Sequence, residues 1–301
     1  MQSRRFPAKI LLFGEYAIIR GARALAVPFH DFEGRWEYKG PAWISPELSG
    51  LADYLEGLEQ KGSLPAPLDL ERFRSDIGRG LVFDSSIPVG YGLGSSGALI
   101  AAVYDSYCAK KTTEPEDLQP ILARMEGFFH GSSSGIDPLV CLLDRPLLLG
   151  GGLPPELVVV PTGREEGLGG LFLLDTGIGR ETAPLVRAFL QKCENPSFDA
   201  LVEKELGRLS NGAIAAFLEG DWEELHLSFS AISRFQWDHF GEMIPGSFRA
   251  LWEKGLDSPD YQLKLCGAGG GGFLMGIARN LEQAREDLAP HPFHTVFRWG
   301  V

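Results

Sequence analysis

Basic residues are in deficit in this chain, cysteine and histidine are scarce, and no apolar run is long. Lys plus Arg number 28 against 40 Asp plus Glu, a net charge of −12 over 301 residues. A field of that sign repels nucleic-acid backbones and anionic lipid surfaces, so neither nucleic acid nor a membrane is an expected partner. Any phosphate must be held by local devices: backbone N–H groups, a few cations or a metal ion. The four cysteines, Cys108, Cys141, Cys193 and Cys266, show no CxxC spacing. A chain of this size needs no disulfide staples, so free thiols in a reducing cytoplasm are expected. The six histidines show no ligand spacing and HExxH is absent, which argues against a zinc site. The absence of a GxSxG elbow argues against a serine hydrolase. No stretch approaches the roughly 18 apolar residues of a membrane span. The run Ile10 to Phe13 meets Glu15 too soon for a secretory leader, and the expected location is cytoplasmic.

What is present is an ordinary globular composition, 44% hydrophobic and 23% charged, in which only the 38 glycines stand out. The length suits two domains around a cleft. Residues 8–13 and 24–28 read as short buried strands, and 81–89 as a third that Pro88 ends. From Gly94 to Ala109 the residues are apolar nearly all round, the pattern of a buried helix. A second helix is expected over 114–129, its acidic first turn complementing the dipole. Around 150–170 the composition shifts to GGGLPP and TGREEGLGG, bracketing a strand-like LVVVP. That shift divides the chain into domains at 1–155 and 156–301. Beyond it come a strand at LFLLDTG, helices near 181–193, 198–219, 221–236 and 244–256, strands at QLKLC and GFLMGIA, a helix at 281–288 and a strand at HTVFRW. Strands and helices mix without regular alternation, which predicts an α+β fold.

The segment PVGYGLGSSGAL, residues 88–99, joins a strand to the buried helix with very little side chain. The first N–H groups of a helix have no internal partner and the aligned peptide dipoles leave partial positive charge there, so an anion is well placed. Glycine lets the backbone approach closely, and the Ser95 and Ser96 hydroxyls can donate to phosphate oxygens or ligate a metal. The same residues also suit a tight turn with Ser95 as a plain N-cap. Walker A is excluded because no Lys-Ser or Lys-Thr pair follows the glycines. GxGxxG matches at Gly92, Gly94 and Gly97 and again at Gly267, Gly269 and Gly272, and two matches in one chain carry little weight.

Three further features carry polar groups. Lys9 stands before a buried strand, with Glu15 and Tyr16 after it; a lysine there is also read as a solvated charge. In MEGFFHGSSSGIDPLV, residues 125–140, Glu126 and His130 lie four apart near a helix end, where they also suit an exposed pair on one helical face. Asp137 follows in a Ser/Gly loop, where it also suits an N-cap with Pro138 at the first helical position. In CGAGGGGFLMGI, residues 266–277, four consecutive glycines exceed what a hairpin requires and suggest close approach to a ligand; a loose hairpin is the alternative.

Taken in order, AKILLFGEYAIIRG, PVGYGLGSSGAL and KLCGAGGGGFLMGI resemble the three motifs of the GHMP kinase superfamily. The HGSSSGID segment and RET at 180–182 resemble the mevalonate kinases of that superfamily, whose glutamate also stands eleven residues before the aspartate. The resemblance implies an N-terminal domain like ribosomal protein S5 domain 2 and a ferredoxin-like C-terminal domain, with the site between them. It implies ATP and Mg2+, a small-molecule alcohol as substrate, and a monomer or homodimer. Asp137 would be the catalytic carboxylate and Lys9 its cationic partner. Gly90, Gly92, Leu93, Gly94, Ser95, Ser96 and Gly97 would bind the nucleotide, and Ser96 and Glu126 the metal. Glu15, His130, Ser134, Arg180, Thr182, Gly269 and Gly270 would face the substrate, most simply mevalonate.

The chain departs from that pattern in four places. Tyr16 replaces histidine, as in phosphomevalonate kinases, Ser133 replaces proline, Pro138 replaces Asn or Thr, and Gly97 replaces alanine. A phosphomevalonate or other metabolite kinase is therefore the alternative acceptor class. A non-catalytic ATP-binding relative and a nicotinamide-dependent dehydrogenase are the alternatives outside kinases.

Overall fold

A computed structural model describes residues 4–161 and 167–300, so residues 162–166 of the glycine-rich TGREEGLGG segment lie outside the described residues. Contacts divide the chain into two compact units. One holds the described residues up to Lys9, Val27–Pro88 and Leu93–Arg145; the other holds Ile10–Ala26, Val89–Gly92 and the residues from Pro146 onward. Strands β1 (Arg5–Phe13) and β2 (Arg23–Tyr38) each contribute residues to both.

In the first unit the C-terminal half of β2 pairs antiparallel with β3 (Leu81–Ser85), from Gly34 opposite Ser85 to Tyr38 opposite Leu81. Five helices follow the chain here: α1 (Pro46–Gln60), α2 (Leu70–Gly78), α3 (Ser95–Tyr107), α4 (Pro115–His130) and α5 (Ile136–Leu143). Every residue of α3 from Gly97 to Tyr104 is buried, which is why its sequence shows no polar face. Leu122 and Met125 of α4 and Leu139 and Val140 of α5 complete that core. Helix α4 starts with Pro115 in its first turn and Glu116 and Asp117 beside it, as its sequence predicts. Helix α5 departs from expectation, because it begins at Ile136 after a left-handed Gly135 and carries Asp137 and Pro138 inside its first turn. Proline costs nothing there, since that N–H has no intrahelical partner. Strand β3 also stops at Ser85, short of Pro88, where the Ser85 hydroxyl accepts from the Ile87 N–H and turns the chain.

In the second unit the first half of β2 pairs with β4 (Leu147–Gly150), which pairs with the two-residue β5 (Glu156–Leu157), so the LVVVP strand is largely irregular. A four-stranded antiparallel sheet follows, built from β6 (Gly169–Asp175), β7 (Gln262–Leu265), β8 (Phe273–Ala278) and β9 (Phe293–Trp299) in the order β7-β8-β6-β9. Between β6 and β7 run α6 (Thr182–Lys192), α7 (Pro196–Leu201), α8 (Gly207–Glu219), α9 (Trp222–His239) and α10 (Arg249–Leu256). Helix α11 (Leu281–Asp287) joins β8 to β9. Counted from β6, the spatial order is the ferredoxin-like 4-1-3-2, with a helical insert after the first strand. Leu171 to Leu174, Leu263, Leu274, Phe229 and Trp252 form its buried centre.

Candidate active site

The first unit gathers a lysine, two carboxylates, two serines and a histidine around the start of α3. Strand β1 delivers Lys9, whose backbone N–H donates to the Leu93 carbonyl at 2.9 Å and so ties the strand to the glycine loop. Its ammonium lies 3.0 Å from Asp137 Oδ1, with side-chain exposures of 11% and 33%. Gly94 is the N-cap of α3 in the left-handed region, φ 75°, and no side chain caps the helix. The Ser95 N-cap alternative is therefore replaced by a helix end with no side-chain cap, whose first amides have no intrahelical partner. A Cβ at Gly94 would sit 3.2 Å from Lys9 Cγ and 3.4 Å from Asp137 Cβ. A Cβ at Gly97 would lie 2.8 Å from the backbone carbon of Asp137 and from the nitrogen of Pro138. Gly97 leaves room for the starts of α3 and α5 to press together there.

Glu126 is the polar centre of this group and is only 3% exposed. Ser96 Oγ donates to its Oε1 at 2.9 Å and lies 3.2 Å from His130 Nε2, while Ser133 Oγ donates to its other oxygen. Ser133 Oγ also accepts from the Gly135 N–H at 2.9 Å, fixing the turn into α5. Burial, and then the nearby Asp137 charge, push the Glu126 carboxyl up to about 7, against the pull of Ser133, Ser96 and Lys9. A buried carboxylate raised in this way is poised to receive a positive charge. The donors on offer, a carboxylate and a hydroxyl, are the hard oxygens that Mg2+ takes, one or two from protein with the rest from phosphate and water. The residues present fit that ion. Ser134, also expected here, accepts from Gln119 Nε2 through its carbonyl at 2.9 Å and is exposed.

The second unit holds the other expected residues. Arg180 donates through its backbone N–H to Gly90 O at 3.1 Å, and its guanidinium reaches Gly269 O at 2.8 Å and Cys266 O at 3.3 Å. A Cβ at Gly92, φ 75°, would lie 2.1 Å from Arg180 Nη2. Gly270 donates to Met243 O, and Thr182 is the exposed first residue of α6. Glu15 is buried against Lys264, a residue that sequence reasoning passed over although a lysine inside the apolar strand QLKLC is itself a signal. Ser133 was passed over as a functional group too, having been noted only as a departure from proline. The cavity of about 150 Å³ lined by His226, Ser230, Tyr261, Gln262 and Arg279 contains none of these residues, and the chemistry identifies the site better than that volume does.

The family model for the GHMP kinases N terminal domain matches residues 66–145, the stretch that carries Gly94, Ser96, Glu126 and Asp137. Over that stretch the chain is similar to the GHMP kinases, and it is a phosphotransferase with an alcohol group as acceptor. Among curated relatives, the mevalonate kinase of Aeropyrum pernix is 26% identical over 297 residues, covering 93% of this chain and 89% of that protein. Among solved structures, the L. major mevalonate kinase in complex with R-mevalonate aligns with a TM-score of 0.65 at 17% identity, over 100% of this chain and 97% of that one. The Streptococcus pneumoniae phosphomevalonate kinase in complex with phosphomevalonate and AMPPNP aligns at 0.66 and 14% identity, over 98% and 100%. At those identities the likeness shows the fold: two-domain α+β, as its mixed elements predict. No helix among the described residues is long and apolar enough to cross a membrane.

Proposed function

We propose that this kinase transfers the γ-phosphate of ATP to the primary alcohol of mevalonate, and that the Lys9–Asp137 pair beside the bare start of α3 performs the step. That juxtaposition, at 3.0 Å, is the observation that carries the reading. Asp137 accepts the proton of the acceptor hydroxyl as its oxygen bonds to phosphorus and the bond to the β-phosphate oxygen breaks, releasing ADP. Lys9 offsets the negative charge that gathers between carboxylate and phosphate. The amides of Ser95, Ser96 and Gly97 face phosphate oxygens, with Gly90, Gly92, Leu93 and Gly94 shaping the approach. Ser96 and Glu126 would hold Mg2+, which neutralises β- and γ-phosphate charge when bound. Glu15, His130, Ser134, Arg180, Thr182, Gly269 and Gly270 are assigned to the acceptor side. The domain division near residue 155 belongs to the same reading, as does a soluble monomer or homodimer in the cytoplasm.

Tyr16 favours a second acceptor, phosphomevalonate, which would require additional cations. Of the candidates Arg180, Arg187 and Lys192, Arg180 is engaged with two carbonyls, and Lys192 with His239 O at 2.5 Å and Glu242 at 3.3 Å. Mevalonate is therefore the better match. An ADP-release screen with Mg·ATP over mevalonate, phosphomevalonate, homoserine and galactose tests the reading; turnover with mevalonate is expected, and turnover confined to another alcohol sinks it.

A further inference from the structure

Lys264 is completely buried and its carboxylate partner, Glu15, is 3% exposed. The ammonium also donates to Leu265 O at 3.0 Å and lies over the Phe13 ring at 5.5 Å. Such a pair gives little net stability, because desolvating two charges offsets their attraction, so its presence calls for another explanation. The explanation lies in what Glu15 touches next. Burial raises the Glu15 carboxyl, while Lys264 and the backbone of Gly267, the first glycine of the run that separates β7 from β8, favour its ionised form. The neighbouring Tyr16 donates its hydroxyl to Ala268 O at 2.7 Å. From the far side of the same run, Gly270 donates to Met243 O and Gly272 to Ile178 O, both at 2.6 Å. Gly267, Gly269, Gly270 and Gly272 all have φ between 67° and 77°, a backbone that fluctuates freely unless its peptides are held. A run of this composition is loose by nature, and here the carbonyls of Ala268, Gly269 and Gly272 and the N–H groups of Gly270 and Gly272 are held.

We propose that Lys264 is a positioning residue for phosphoryl transfer: by fixing the Glu15 carboxylate it sets the Gly267 peptide and, through it, the shape of the glycine run. The inference rests on the kinase reading above. Lys264 touches neither phosphate nor acceptor; it acts through Glu15. A neutral residue of equal volume would pack in the same space and leave the Gly267 amide without a fixed carboxylate.

The test uses the full chain with Lys264→Met, Glu15→Gln and the double variant. Deuterium exchange of the Gly267 to Gly272 amides is followed without substrates, and kcat and KM are measured with Mg·ATP and mevalonate. The single variants leave a buried charge unpaired and lower the melting temperature; the double variant leaves none, regains stability and is the deciding one. In it the run is expected to exchange at least about 10-fold faster than in the wild type, with kcat reduced roughly 10²-fold by misplacement. Wild-type exchange of the run in the double variant overturns the inference whatever its kcat, because Glu15 is itself assigned to the acceptor side; wild-type kcat overturns it too, since the pair would then be two charges that merely need each other. Should the wild-type chain phosphorylate no alcohol, the kinase reading fails, while the exchange comparison still decides whether the pair shapes the run.

Discussion

At Asp137 three influences meet: the Lys9 ammonium at 3.0 Å, the buried Glu126 carboxylate, and the backbone of α3 pressed against it at Gly97. Asp137→Asn keeps the shape and removes the proposed proton acceptor. Its kcat is expected to fall at least about 10²-fold with the Kd for Mg·ATP little changed; rapid-quench and equilibrium titration separate the two. Ser133 works one step further back, holding one oxygen of Glu126 and leaving the other toward Ser96. Ser133→Ala is expected to weaken Mg2+ affinity about 10-fold, read by titration calorimetry, and to lower the melting temperature slightly because the Gly135 N–H loses its acceptor. The resemblance carried by HGSSSGID, with Glu126 standing eleven residues before its aspartate, pointed to both carboxylates. That Ser133 orients Glu126 became visible only when the loop folded back onto α4, because a hydroxyl has no role until a partner is in reach.

Two elements, α3 and α5, depend on a single missing methyl group. Gly97→Ala would place Cβ 2.8 Å from peptide atoms, and backbone cannot move aside as a flexible side chain does. The helix starts must separate, at a cost of about 1–3 kcal/mol by chemical denaturation, and kcat should fall with the displacement of Asp137. Helix α9 makes a different prediction. Burial first, and then Arg279, lower the His226 imidazole to about 4 from its ordinary 6.5. Above pH 6.5 the residue is neutral in both folded and unfolded chains. Between 6.5 and 4 the unfolded chain takes up a proton that the folded one refuses, so stability falls as pH falls through that window. His226→Gln should flatten this part of the stability profile. Among elements, α3, α4 and the β6 to β9 sheet were legible as periodic or strongly apolar runs. Helix α5 and the shortened β3 were not, because a proline and two serines in turn-like contexts are also tolerated inside a first helical turn or past a strand end.

For the whole molecule, a chain of charge −12 that uses ATP must gain its affinity locally. Saturating Mg·ATP at about 100 times its Kd should stabilise the fold by roughly 2.7 kcal/mol, and NAD(H) should not. A melting curve with each ligand settles it, and stabilisation by NAD(H) alone would return the dehydrogenase reading. The mix of strand-like and helical runs, by itself, determined the α+β class, and the order of three motifs carried the resemblance to the GHMP kinases on which the proposed roles of Lys9, Glu126 and Asp137 rest, because those properties depend on residue type and order along the chain. Tertiary structure alone decided that Gly97 must lack a side chain, that Ser133 serves Glu126, and that a lysine inside a strand is buried against Glu15. Each of these is a distance between segments far apart in sequence, set by how helices and strands pack rather than by any residue's neighbours along the chain.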